Sequence, residues 1–273
     1  MWDHLEELAQ RLRRILFVLA ITTMALFSLP SDLRIITTFQ FSNYRPMISS
    51  ILEFIQSSLL PEGVDLIAFN WMDTFYIYLM VALTLGFILT LPLTAYEIYM
   101  FINPALYANE KRYLYTFVAS FAILFFIGII YSYFILLPTT FHILYRLVYQ
   151  SNIIPFFSVK DFFNMVAVGM LGSGLFYTFP LIIYLLVKAD LIEVKTLKKN
   201  RKELLVGLLI VTAILTPDPT PFSMLLMSVP FYLLFELTIQ ILSKGSTKST
   251  EEVFQRGIMA SKKILSRDAV NKE

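Results

Sequence analysis

Three runs without a single charged residue, 75–93, 113–137 and 162–187, constrain this chain more than anything else in it. They hold 19, 25 and 26 residues. A helix rises about 1.5 Å per residue and needs about 20 apolar residues to cross a hydrocarbon core roughly 30 Å thick, so runs of this length read as membrane-spanning helices. Apolar stretches at 15–29, 204–215 and 222–242 raise the expected number of spans to six. The fifth is short. Fifteen residues separate Arg201 from Pro217, about 22 Å of helix, which calls for cover by neighbouring helices or a locally thinner bilayer. Composition agrees: 57% of residues are apolar and only 15% charged, against roughly 25% charged in soluble domains. No soluble catalytic domain fits. The expected fold is an all-α membrane protein with six transmembrane helices in one domain, 1–243, followed by a polar tail, 244–273.

Six spans put both termini on one side, and the basic residues then sort unequally. Eighteen of the 22 lysines and arginines fall on the side of the termini, while Arg34, Arg45, Arg146 and Lys160 fall on the other. By the positive-inside rule both termini, the tail and the 97–112 connection face the cytoplasm of a cell membrane. A helix is expected to begin ahead of the first span, because Asp3 can cap it and Glu6 can return the bond. Leu5, Leu8 and Leu12 share a face of that helix, and Glu7 can pair with Arg11 at i,i+4. Acidic Asp3, Glu6 and Glu7 do not suit the basic start of a secretory signal, so the segment is expected in the mature protein. On the outer side, Pro46 followed by Met47, Ile51, Leu52, Ile55 and Leu59 predicts an amphipathic cap helix. The second outer segment, 138–161, carries His142, Leu144, Tyr145 and Phe156 and is expected to lie against the membrane.

Chemistry is restricted in the same way. The absence of cysteine excludes disulfides, thiolate metal sites and thiol nucleophiles. Gly172-Ser173-Gly174 lies in the fourth span, but a serine nucleophile needs a base within hydrogen-bond reach. The only histidines are His4 and His142, placed on opposite sides. Gly169, Gly172, Ser173 and Gly174 read better as a close helix-packing face, and the chain has no HExxH for metalloprotease chemistry. Neither enzymatic activity nor a cofactor is expected. Glu236 in the sixth span supports an alternative, a proton-coupled secondary transporter centred on that carboxylate. Against it, no repeat relates the first and last three spans, and Glu236 lies about two turns from the Lys244 end. Residues 216–221, TPDPTP, suit a tight outer turn.

The polar segment 97–112, EIYMFINPALYANEKR, stands between two apolar runs. Glu110 has Lys111 and Arg112 beside it, so Glu97 and Glu110 are readable as plain interface charges. Their chemistry also suits a ligand. Carboxylates at a partly dehydrated surface grip guanidinium groups through bidentate, charge-assisted hydrogen bonds, and Phe101 can cover an arginine plane. Glu7 falls on the same side and can add a third carboxylate.

Three motifs resemble the TatC family, the core membrane subunit of the twin-arginine protein translocase. His4-Leu5-Glu6-Glu7-Leu8 with Arg11-Leu12 is similar to the family's HLxELRxRL. Phe101 to Tyr107 with Glu110-Lys111-Arg112 is similar to FxxPALxxxE. Leu215 to Pro219, leading to Pro230 and Phe235-Glu236, resembles the last turn and helix. The resemblance covers about residues 4–243. It implies binding of twin-arginine signal peptides of folded precursors, with Glu7, Glu97, Phe101 and Glu110 at the site. It also implies assembly with TatA/TatB-type single-span proteins near Thr216, Asp218 and Glu236, and export driven by the proton motive force. Ala9, Thr178 and Met224 depart from the family pattern, where arginine, glutamate and glutamine are usual. Charge pairing or polar docking at those positions does not carry over.

Overall fold

The structure is a computed structural model that describes residues 2–31, 45–61, 64–102, 111–151, 156–188, 191–216 and 220–243. Its helices are α1 (Trp2–Ser28), α2 (Met47–Leu59), α3 (Asp73–Ile102), α4 (Lys111–Tyr131), α5 (Leu137–Gln150), α6 (Val159–Lys188), α7 (Val194–Lys199), α8 (Arg201–Leu215) and α9 (Pro221–Ser243). The six apolar runs fall on α1, α3, α4, α6, α8 and α9, the first ending one residue past Ser28 and the third continuing beyond Tyr131. Four continuous stretches, Asp73–Phe101, Thr116–Gln150, Val159–Lys188 and Pro221–Ser243, are long and apolar enough to cross a membrane. The other two apolar runs belong to α1, whose first half is charged, and to the 15-residue α8.

The third run departs from expectation at its far end. Residues 138–150, expected within an outer segment, instead prolong the helix through a π-turn at Ser132–Leu136 into α5. Pro138 has no N–H to donate, and its ring crowds the carbonyl four residues back, so the widened turn accommodates both defects. The amphipathic cap helix forms where expected, with Pro46 as its N-cap. Its buried face is Ile48, Leu52, Ile55 and Leu59, and Met47 is turned outward. The β1 (Leu66–Ile67) and β2 (Phe157–Ser158) strands pair in parallel, Leu66 with Phe157 and Ile67 with Ser158, tying the two connections together.

The described helices fall into two compact units. One holds the described residues of 1–179 and 209–228, the other those of 180–208 and 229–243. In the first, the face of α2 packs with Ile77, Val81 and Ala82 of α3, Phe125 and Ile129 of α4, and Phe162, Phe163 and Val166 of α6. Helices α4 and α6 approach so closely that a Cβ on Gly128 would lie 2.7 Å from the Ser173 carbonyl oxygen and 2.9 Å from Gly174 Cα. One on Gly174 would lie 2.6 Å from the Phe125 ring. This bears out the packing face at Ser173 and Gly174, since lipid-embedded helices gain contact by bringing backbones together, whereas a Cβ on Gly172 would meet only the Leu215 carbonyl oxygen at 3.6 Å. In the second unit Leu197, Phe231, Phe235, Ile239 and Leu242 are buried.

Candidate functional site

Helices α1 and α3 run antiparallel, and Gly86 sets their spacing, because a Cβ there would meet Thr23 Oγ1 at 2.6 Å. Glu97 lies eleven residues farther along α3, and Arg14 and Arg11 lie nine and twelve residues back along α1. The same line of contact therefore delivers two arginines to one carboxylate. Glu97 needs them. Its side chain is 1% exposed, and it sits near the C-terminal end of α3, where the helix dipole disfavours an anion.

Both Glu97 oxygens are engaged. Arg11 Nη1 donates to Oε2 at 3.0 Å, and Arg14 Nη1 donates to Oε1 at 2.5 Å. Arg11 also donates from Nε at 3.1 Å and from Nη2 at 2.6 Å to Glu7 Oε1, which realises the i,i+4 pair expected on α1. Arg11 thus bridges two carboxylates with its planar fork, the geometry that guanidinium favours. Its bond to Glu7 is the largest of the influences raising its pKa above the usual value. It stays charged at any pH the protein meets.

Phe101 lies one helical turn beyond Glu97 on α3 and is half-buried, so the two share a face. Glu110, with 103–110 as a whole, lies outside the described residues, as does Asp218. Thr216 is 8% exposed, and its Oγ1 has no hydrogen-bond partner among the described residues. Glu236, in the second unit, pairs through Oε1 with Arg201 Nη2 at 3.0 Å. That ion pair gives the membrane carboxylate a compensating charge within its own unit. Thr178 is buried, and its hydroxyl donates to the Leu175 carbonyl at 2.6 Å, a bond inside its own helix turn. Ser173 is 1% exposed and its Oγ has no partner among the described residues, an inert packing position.

The structure therefore joins Glu7 and Glu97 through Arg11 and sets Phe101 a turn away. The two arginines that neutralise Glu97 were not among the predicted site residues. The available signal was the i,i+3 spacing of Arg11 and Arg14, which placed two cations on one helix face beside Glu7 at the edge of an apolar run.

Comparison with known proteins is consistent across sequence and structure. Residues 3–230 match the family model of TatC, described as Sec-independent protein translocase protein. The Sec-independent protein translocase protein TatC of Aquifex aeolicus is 30% identical over 255 residues, 92% of this chain and 97% of that protein. TatCy of Bacillus subtilis is 26% identical over 202 residues, 74% of this chain and 79% of its own. A crystal structure described as twin arginine translocase receptor TatC superposes with a TM-score of 0.69 at 28% identity, covering 89% of this chain and 99% of that one.

Proposed function

Because the chain belongs to the TatC family of Sec-independent protein translocase proteins, we propose that it receives twin-arginine signal peptides on a surface built by Glu7, Glu97, Phe101 and Glu110. As a family member it is a multi-helix membrane component of the twin-arginine pathway, works in a complex with other Tat subunits, and is a translocase component rather than an enzyme. The single observation that carries the binding reading is the Glu97 carboxylate, 1% exposed and gripping guanidinium groups with both oxygens. A site that holds guanidinium in this way has the carboxylate chemistry and the dehydration a paired-arginine ligand needs.

In this reading the termini and the site face the cytoplasm, as the distribution of basic residues supports, and 1–243 works as one membrane domain ahead of the tail. Thr216 and Asp218, and separately Glu236, are the positions read as contacting small single-span partners, so that the proton motive force can drive export. The test of binding is crosslinking of an Arg-Arg signal peptide and its Lys-Lys counterpart, with Glu110→Ala as control. Selective capture of the Arg-Arg peptide, lost in Glu110→Ala, is expected. Equal capture of both peptides by both proteins overturns the reading.

A further inference from the structure

Helix α1 itself supplies what already occupies Glu97. Residues 11–19 read Arg-Leu-Arg-Arg-Ile-Leu-Phe-Val-Leu, and the uncharged run 15–29 follows directly on the consecutive pair Arg13-Arg14. That is the chemical order of the proposed ligand: two adjacent arginines ahead of an apolar stretch. One of the two, Arg14, is bound to Glu97 Oε1 at 2.5 Å. We propose that α1 carries an internal stand-in for the ligand: Arg14 fills the guanidinium place on Glu97 at rest, and an arginine of the docking signal peptide takes that place. This inference rests on the binding reading above.

Three observations support exchange at Arg14. First, the side chains of Glu7, Glu97, Arg11 and Arg14 sum to zero charge, so the cluster has no surplus anion for an incoming cation and admits one by replacement. Second, the two arginines are held differently. Arg11 is 19% exposed and bonded to both carboxylates, whereas Arg14 is 63% exposed and makes one ion pair. Water can take over the released Arg14 guanidinium, so its departure costs little. Third, Glu97 is fixed and buried, so the oxygen that Arg14 vacates stays aimed at the same place and is costly to leave unpaired. That unpaired oxygen favours an arriving guanidinium, which is more weakly hydrated than an ammonium and so loses less on entering a buried place. Arg11 is then a positioning residue, holding Glu7 and Glu97 in register while Arg14 is exchanged.

The experiment titrates full-length protein in lipid nanodiscs with a labelled synthetic peptide carrying Arg-Arg ahead of an apolar run, and with its Lys-Lys form. Arg14→Gln removes the competing charge and is expected to bind the Arg-Arg peptide roughly three- to tenfold more tightly. Arg14→Lys leaves a weaker competitor on Glu97 and is expected to fall between wild type and Arg14→Gln. The double variant Arg14→Gln/Glu97→Gln is expected to lose the gain. On the unmodified protein, a peptide of the chain's own residues 8–21 is expected to compete with the Arg-Arg peptide, and a version with both Arg13 and Arg14 changed to lysine is not. If wild type prefers Arg-Arg over Lys-Lys while Arg14→Gln binds no more tightly and the 8–21 peptide does not compete, the stand-in is refuted and the binding reading survives. If wild type shows no preference between the peptides, both fail.

Discussion

Glu97 carries its charge at a place where neither water nor its helix end supports it. The two guanidiniums that do so come from 83 and 86 residues away. Removing that charge is therefore predicted to loosen α1 from α3. Glu97→Gln should lower the unfolding free energy by roughly 1–2 kcal/mol, less than the cost of breaking a fully buried pair because Arg14 stays largely hydrated. Glu7→Gln should cost less, since Glu7 is 33% exposed and its pairing with Arg11 is a local i,i+4 helix pair. Thermal unfolding of both variants in one detergent checks the order, and an equal or reversed order would refute it. The same residues mark how far a sequence can be read. The Glu7–Arg11 pair was visible in the i,i+4 spacing, because a helix repeats locally. The Glu97–Arg14 pair was not, because nothing in a single sequence records which side chains meet when two helices pack. The carboxylates were therefore recognisable as guanidinium ligands while the guanidiniums already bound to them were overlooked.

Among the elements, the glycines separate close packing from mere helix content. Gly128 faces backbone atoms of α6 within 3 Å of where a Cβ would sit, whereas Gly207 of α8 has nothing within 4 Å. Backbone cannot move aside as a side-chain tip can, so Gly128→Ala is predicted to destabilise the protein by about 1–3 kcal/mol. Gly207→Ala should be neutral, or stabilise by up to about 1 kcal/mol through helix propensity. Parallel unfolding curves test the pair, and similar losses in both variants would contradict it. Element positions were legible from the apolar runs, and so was the brevity of the fifth span, confirmed as the 15 residues of α8. Two details were not. The face of α2 is rotated toward Ile48, since Met47, Ile48, Ile51 and Leu52 are all apolar and periodicity alone cannot rank them. The extension through Pro138 was hidden because proline normally ends a helix, and the π-turn that admits it is a property of backbone geometry.

For the whole molecule, the fold and family were readable from the spacing of apolar runs and three short motifs, while side-of-membrane assignment rests on basic residues alone. The lack of cysteine makes that assignment directly testable. A single Ser246→Cys in the tail should react with an impermeant thiol reagent only from the cytoplasmic side. Trp71→Cys, at a fully exposed position, should react only from the outside, and the opposite pattern would invert the orientation. Orientation fixes from which side a ligand arrives, and affinity fixes which ligand it is. The most direct measurement is the affinity of the full chain in nanodiscs for Arg-Arg and Lys-Lys signal peptides, with and without Glu110→Ala. A guanidinium-selective site predicts a roughly tenfold preference for Arg-Arg, a difference of about 1.4 kcal/mol, and loss of that preference in Glu110→Ala. Equal affinities for the two peptides, unchanged by Glu110→Ala, would contradict it.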